Sequence, residues 1–465
     1  MKKSILYTLA ALAILLAFGF IAWAFSQHGT YGLFHVENIF RYAFIGLGVS
    51  GVILLGLLLL HIVITRGKPA GSWRWLSVPV LVLTVLEIIV PVFAFVYLSG
   101  MTSPGVGDTS PQLTVTDTPG TYDVPDLGIV DYSGQPVSYT LSWGKTGSES
   151  IAVVNEEKSS RQHIFMLRNL EPGTEYWYRL NDTEKCFFRT PDLSKQSLHF
   201  AVGSDAHFGA GTNRPDLTTQ MLDQISSPAN GYSYFYFLGD LVENGFQGGN
   251  WKAALQAFSA TTSTIPSVLI AGNHDTLFAG LNYFKKYCYP AGLDSQSGSR
   301  LWHRIDVGNI HFLVVDIEWS AESYTKQQAA WLEEQLKSIP ADDWKIVMSH
   351  GFYYCSGSVA GGWHWYDNPE TIGALTPLFE KYSVDLVFSG HEHQLELLQK
   401  SGVTYVICGG FGGALDPIRT YISPASLWYA GETYGFADVT INESEARIFF
   451  RDPSGAVLES FTISK

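Results

Sequence analysis

The 465-residue chain has little cysteine, little charge and few basic residues. Only four cysteines occur, Cys186, Cys288, Cys355 and Cys408, and none sits in a C-x-x-C pair. Their spacing leaves both free thiols and disulfides open. Charged residues make up 15% of the chain, with 29 Lys and Arg against 43 Asp and Glu, for a net charge of −14. A nucleic-acid surface needs a basic patch, so this balance argues against nucleic acid as a partner. No phosphate loop of the G-x-x-x-x-G-K type occurs: Gly409-Gly410-Phe411-Gly412-Gly413 is rich in glycine but lacks the lysine. Such a run instead lets a strand end come close to a site. Aromatic residues and long apolar runs, by contrast, are plentiful.

The first hundred residues hold three apolar runs, 5–25, 42–64 and 76–98. About 20 apolar residues span a bilayer, so hydropathy predicts three transmembrane helices in a membrane region 1–100. Lys2 and Lys3 precede the first run, and Arg66, Lys68 and Arg74 lie between the second and third. The positive-inside rule then puts the amino terminus in the cytoplasm and everything after Leu98 outside. These expectations describe a multi-pass cell-membrane protein, with the lipid bilayer as a partner and an exocytoplasmic catalytic domain. Glu87 falls within the third run, where a carboxyl is expected to be protonated or to face the bundle interior.

Residues 101–111, rich in Gly, Pro, Ser and Thr, read as a linker. Between 112 and 191 polar and apolar residues alternate, as in Ser138 to Trp143, His163 to Leu167 and Glu175 to Leu180. Period-two alternation marks half-buried strands. The segment Leu170 to Tyr176 is similar to the turn and corner tyrosine of a fibronectin type III sandwich. This β region is expected to act as a spacer. From 195 to 465 strands alternate with helical stretches near 217–225, 251–259, 327–336 and 372–382, which implies a layered α/β domain.

Five strands in that domain end in Asp, Asn or His. His199 to Gly203 leads to Asp205 and His207, and Tyr234 to Leu238 leads to Gly239-Asp240. Val268 to Ala271 leads to Gly272-Asn273-His274-Asp275, Lys345 to Met348 leads to His350, and Leu386 to Phe388 leads to Gly390-His391-Glu392-His393. Ligands of α/β sheets gather at the carboxyl ends of strands. Two Asp, one Asn and four His, with no Cys, suit Mn, Fe or Zn. Seven donors are too many for one ion and enough for two if a carboxylate bridges, which is the composition of a two-metal hydrolytic site.

The series D-x-H, G-D, G-N-H-D, a lone His and G-H-x-H resembles the calcineurin-like metallophosphoesterase superfamily. The resemblance covers about half the chain, from near Ser197 to near Ile441. It implies a four-layer sandwich of two stacked mixed sheets flanked by helices, here preceded by a small all-β sandwich and three transmembrane helices. It further implies that Asp205, His207 and His393 hold one ion, that Asn273, His350 and His391 hold the other, and that Asp240 bridges them. A metal-activated water would then attack a phosphate ester, and His274 would stabilise or protonate the leaving oxygen. A β domain ahead of such a domain resembles the purple acid phosphatases. Those enzymes carry Tyr where Glu243 stands and Gly where His207 stands, so the iron–phenolate colour is not expected. Two other readings compete: a catalytically inactive binding or adhesion protein on the same fold, and a diesterase or lipid-linked pyrophosphatase. The loop Gly361 to Asp367 reads equally as a substrate-side wall and as a packed surface loop.

Overall fold

The computed structural model describes residues 36–65, 74–98, 105–117, 124–149, 151–195, 197–360 and 363–465, together with Leu12, Leu15 and Gly19. The chain divides into two compact units, Met1–Ser103 and Pro104–Lys465.

In the first unit the expectation of three membrane crossings is corrected. No helix among the described residues is long and apolar enough to cross a membrane. The first run lies outside the described residues apart from Leu12, Leu15 and Gly19, which are helical. The other two correspond to helices Val36–Thr65 and Arg74–Leu98. The second of them carries Glu87 and Pro91 within its length. The two helices pack on each other closely: a Cβ on Gly51 would lie 2.8 Å from Ile88. The multi-pass topology, the exocytoplasmic placement and the bilayer as partner rested on those crossings and are not supported.

The second unit is built on two large sheets. The first has nine strands in the spatial order Val457–Ser464, Glu445–Arg451, Phe436–Asn442, Ser197–Gly203, Tyr234–Phe237, Ser267–Leu269, Gln112–Val115, Leu127–Val137, Ser160–Leu167. The second has seven, in the order His303–Val307, Ile310–Val314, Trp344–Met348, Leu386–Ser389, Val403–Cys408, Leu395–Lys400, Ser426–Ala430. Each has a parallel centre: Ser197–Gly203, Tyr234–Phe237 and Ser267–Leu269 in the first, Ile310–Val314 through Val403–Cys408 in the second. Those central strands are apolar on both faces because both faces are covered.

Strand periodicity sorts the side chains into layers. Phe200, Val202, Tyr234 and Tyr236 of the first sheet meet Phe312, Val314, Ile346 and Phe388 of the second. Phe200 and Phe312 sit edge to face at 5.3 Å, and Tyr236 stacks on Phe312 at 4.8 Å. The alternate residues Ala201, Phe235 and Phe237 face helices Pro215–Ser226 and Gly248–Thr262 through Met221, Leu222, Trp251 and Phe258. Leu313, Val347 and Val387 face helices Lys326–Ser338 and Pro369–Lys381 through Leu332, Leu336, Leu375 and Phe379. The result is four layers, helix–sheet–sheet–helix. Local sequence sets the helix starts: the Thr325 hydroxyl accepts from Gln328 N–H at 3.2 Å, and the Asn368 amide oxygen accepts from Thr371 N–H at 3.1 Å.

The β region also departs from expectation. It is not a free-standing sandwich ahead of the α/β domain. Gln112–Val115 runs parallel to Ser267–Leu269, with Thr114 opposite Ser267, so three strands of the region extend the nine-stranded sheet. The other four, Ala152–Asn155, Thr140–Lys145, Glu175–Leu180 and Cys186–Arg189, form a small sheet. Leu141, Tyr178 and Phe188 of that small sheet join Leu113, Ile129 and Leu167 in one core. The hydroxyl of Tyr176 accepts from Glu171 N–H at 2.9 Å and pins the turn between them. All four cysteines are free.

Candidate metal centre

The parallel strands of both sheets carry their donors at the carboxyl ends, where the chain must turn sharply to leave the sheet. Asp205, His207, Asp240 and His391 all adopt positive φ, at 68°, 49°, 51° and 69°. That region costs a residue with a Cβ on the order of 1 kcal/mol or more. The packing tolerates it at four donors because the turn points each side chain inward. Glycine supplies the close approaches. A Cβ on Gly272 would lie 2.2 Å from Asp240 Oδ1, and one on Gly390 would lie 2.0 Å from the Ser204 hydroxyl.

Asp205, His207 and His393 converge as one group. Asp205 is fully buried, and its Oδ2 accepts from the His391 backbone N–H at 2.9 Å. Its Oδ1 faces His393 Nε2 at 3.4 Å and His207 Nε2 at 3.6 Å. His207 Nδ1 donates to Glu243 at 2.8 Å, and His393 Nδ1 donates to the carbonyl of Ala414. Each imidazole is thus held through one nitrogen and offers the other, the arrangement of a metal-ligating histidine with its outer partner in place.

Asp240, His350 and His391 form a second group. His350 Nδ1 donates to the carbonyl of Leu238 at 2.9 Å. Its Nε2 turns to Asn273 Oδ1 at 3.1 Å and Asp240 Oδ2 at 3.3 Å. His391 Nδ1 lies 3.0 Å from the same Asn273 oxygen. Asp240 stands between the groups: its Oδ2 is 3.5 Å from His207 Nε2 as well as 3.3 Å from His350 Nε2. Its Oδ1 accepts from the His274 backbone N–H at 2.8 Å.

Among the described residues, Asp205 Oδ1, His207 Nε2 and His391 Nε2 are buried and have no hydrogen-bond partner. Leaving such atoms unpaired costs roughly 1–3 kcal/mol each, more if charged. Cations among them would remove that cost, so the donor set fits a pair of metal ions. The electrostatics agree. Burial opposes charge on Asp205, yet His207, His350 and His393 outweigh it and hold the carboxyl well below its usual range. Burial alone would lower His350, but Asp240 and Asp205 hold it up at about 9. Burial and the neighbouring His350 push His391 down to about 3, so its ring is neutral and a lone pair is available. The two carboxylates draw positive charge into the pocket, as an ion site must.

His274 stands at the edge of the first group. Its ring centroid is 4.7 Å from that of His207, and Nδ1 donates to the carbonyl of Glu243 at 2.8 Å, which leaves Nε2 uncommitted. Asp275 is wholly structural: its two oxygens accept from Val242 and Gly272 N–H, closing the turn that carries Asn273 and His274. Cys355 is buried and its thiol is pushed well up by that burial. His303 and His311 lie in strands away from these groups. In the glycine run, Gly413 N–H donates to the Asp205 carbonyl at 2.7 Å, and a Cβ there would lie 2.9 Å from His207.

Two features escaped the sequence reading. Glu243 anchors two histidines, His207 through its side chain and His274 through its backbone. The available signal was a carboxylate three residues beyond Asp240 at the same strand end. The second is a sixth strand edge, Ile310–Val314, which runs on to Asp316, Glu318 and Trp319. Glu318 accepts from the Thr276 hydroxyl at 2.6 Å, and Trp319 packs on His391 with ring centroids 4.3 Å apart.

Fold and donors together give a layered α/β domain whose strand ends gather a donor set suited to a pair of metal ions. Residues 198–395 match the family model described as calcineurin-like phosphoesterase. Among individual relatives, purple acid phosphatase 21 of Arabidopsis thaliana is 27% identical over 290 residues, covering 59% of this chain and 62% of its own length. Purple acid phosphatase 18 of the same plant is 24% identical over 327 residues, covering 66% and 70%. The chain therefore spans somewhat less than two thirds of the first relative. In fold it is similar to the purple acid phosphatase PPD1 from yellow lupin seeds, with a TM-score of 0.63 at 18% identity, covering 78% of this chain and 75% of that one.

Proposed function

We propose that this chain is a metal-dependent phosphoesterase that hydrolyses phosphate esters. Asp205, His207 and His393 would hold one transition-metal ion and Asn273, His350 and His391 the other, with Asp240 shared. The observation that carries the reading is Asp240 Oδ2, which lies between His207 Nε2 and His350 Nε2 at 3.5 and 3.3 Å. When bound, two such ions would supply the charge that activates water and neutralises phosphoryl oxygens. The protein's own groups do the rest. Glu243 keeps the His207 ring turned inward, and the Leu238 carbonyl does the same for His350. His274, fixed through Nδ1, presents Nε2 as the proton donor to the departing oxygen. With every donor present, the inactive binding-protein reading has no missing ligand to rest on.

Chelation should abolish phosphate-ester hydrolysis, and a divalent transition metal should restore it. Elemental analysis of the active protein should give two ions per chain. One ion or none in fully active protein would overturn the dinuclear reading, and Asp240→Asn should cost the most activity among single donor substitutions.

A further inference from the structure

We propose that His207, Glu243 and His274 form a third metal-binding group, a loading site that captures a divalent transition-metal ion and hands it to Asp205 and His393 through the ring of His207. The proposal rests on the metal-centre reading and adds to it how the ions enter. Among the described residues three groups of side chains bring their donor atoms within 4.8 Å of one another, and this is the third. Glu243 Oε2 lies 2.8 Å from His207 Nδ1 and 3.7 Å from His274 Nδ1. Two imidazoles and a carboxylate suit Mn, Fe or Zn, as the donors of the other two groups do. The three groups differ in openness. Asp240, His350 and His391 are all buried, and in the first group only His393 is half-buried. In the third, the side chains of Glu243 and His274 are 31% and 25% exposed. An ion from solvent reaches the most exposed of the three donor groups first.

His207 belongs to both the first group and the third. Its ring centroid is 4.7 Å from that of His274 and 4.7 Å from that of His393. Its Nδ1 faces Glu243, while its Nε2 faces Asp205 Oδ1 at 3.6 Å and Asp240 Oδ2 at 3.5 Å. A neutral imidazole carries one proton and one lone pair, so His207 serves one group at a time. The Nδ1 protons of His207 and His274 both point at Glu243, one at its carboxylate and one at its carbonyl. An ion captured here takes the place of those two protons, which pass to Nε2 of each ring; the carboxylates of Asp205 and Asp240 face the one on His207. When the ion moves to Nε2 of His207, the proton returns to Nδ1 and the bond to Glu243 forms again. Glu243 thus acts twice, first as a ligand and then as the acceptor that orients the ring. Because the ring is shared, the third group empties as the first fills, and the saturated protein still holds two ions.

The test is stopped-flow uptake of Co²⁺, whose visible absorption reports its ligands, by the metal-free full-length protein. In the wild type the rate should level off as Co²⁺ rises, the mark of capture followed by transfer. His274→Ala removes one of the three capture ligands, which should slow uptake at low Co²⁺ by at least about tenfold and leave a rate that rises linearly with concentration. Release into excess chelator should slow by the same factor, so that the equilibrium affinity for both ions is unchanged. His274→Glu, which restores a ligand without an imidazole, should recover most of the uptake rate. Uptake by His274→Ala at the wild-type rate would overturn the loading site, and so would slow uptake that His274→Glu does not recover. A fall in equilibrium affinity with release unslowed would make His274 a support of the first group and would also overturn it. Three ions per chain at saturating Co²⁺ would overturn the sharing of His207. A wild type that holds no Co²⁺ would refute the metal-centre reading itself, and the loading site with it.

Discussion

Removing the Glu243 side chain should separate the two halves of the proposed metal centre. Glu243 holds His207 Nδ1 through a 2.8 Å charge-assisted bond, and its carboxyl is held below the usual range chiefly by that bond. Its backbone carbonyl, which anchors His274, survives any substitution at this position. Loss of such an outer partner typically costs about 10–100-fold in metal affinity, or roughly 1.4–2.8 kcal/mol. Glu243→Ala should therefore weaken only the ion held by Asp205, His207 and His393. His350 keeps its bond to Leu238, so the other ion should bind as before. Titrating the metal-free protein against a chelating indicator should convert two tight phases into one tight phase and one about 10–100-fold weaker. Glu243→Gln, which keeps an acceptor for Nδ1–H, should lie between wild type and Ala. Equal weakening of both phases, or a titration unchanged from wild type, would show that Glu243 does not set the orientation of His207.

Three further expectations rest on separate parts of the structure. His274→Ala should keep both ions and lose roughly 10²–10⁴-fold in kcat/KM, less for nitrophenyl esters than for alkyl esters; an equal loss across a leaving-group series would assign the proton donor elsewhere. Gly272→Ala should lower stability and impair metal binding, because the added Cβ would lie 2.2 Å from Asp240 Oδ1 and 2.3 Å from the Asp240 backbone nitrogen; unchanged Tm together with retention of both ions by elemental analysis would contradict the crowding. Burial raises the Asp131 carboxyl to about 6 from 3.8, against the bond from Thr109. A folded-state acid pKa above the unfolded one means that stability falls as pH rises from about 4 to 6, by up to about 3 kcal/mol. Asp131→Asn, which keeps an oxygen for Thr109 and Tyr132, should raise Tm at pH 7 and flatten Tm between pH 4 and 6; a pH dependence unchanged from wild type would place the titrating group elsewhere.

The layers and the strand ends were legible because they depend on local rules. Phe200 and Ala201 point to opposite faces of a strand wherever that strand ends up, so apolar runs such as Tyr234–Phe237 announce central strands covered on both sides. The helices over 215–226, 248–262, 326–338 and 369–381 follow apolar spacing, and the last two start at their own caps, Thr325 and Asn368. Donors directly after apolar runs mark the carboxyl edge of a sheet, which is why Asp205, Asp240, Asn273, His350 and His391 could be gathered from the sequence as one set.

Local sequence thus determined which residues form strands, which face each turns inward and which strand ends carry donors. Tertiary structure alone decided the partners. Backbone hydrogen bonding is nearly blind to side-chain identity, so nothing in Gln112–Val115 announces that it lies beside Ser267–Leu269 and joins the β region to the larger sheet. The positive φ at Asp205, His207, Asp240 and His391 is likewise imposed by packing, since isolated residues of these types avoid it. Glu243 behind His207, and Trp319 and Trp365 around His391, meet only once both sheets are stacked. Their roles come from proximity across the fold, which chain spacing does not record.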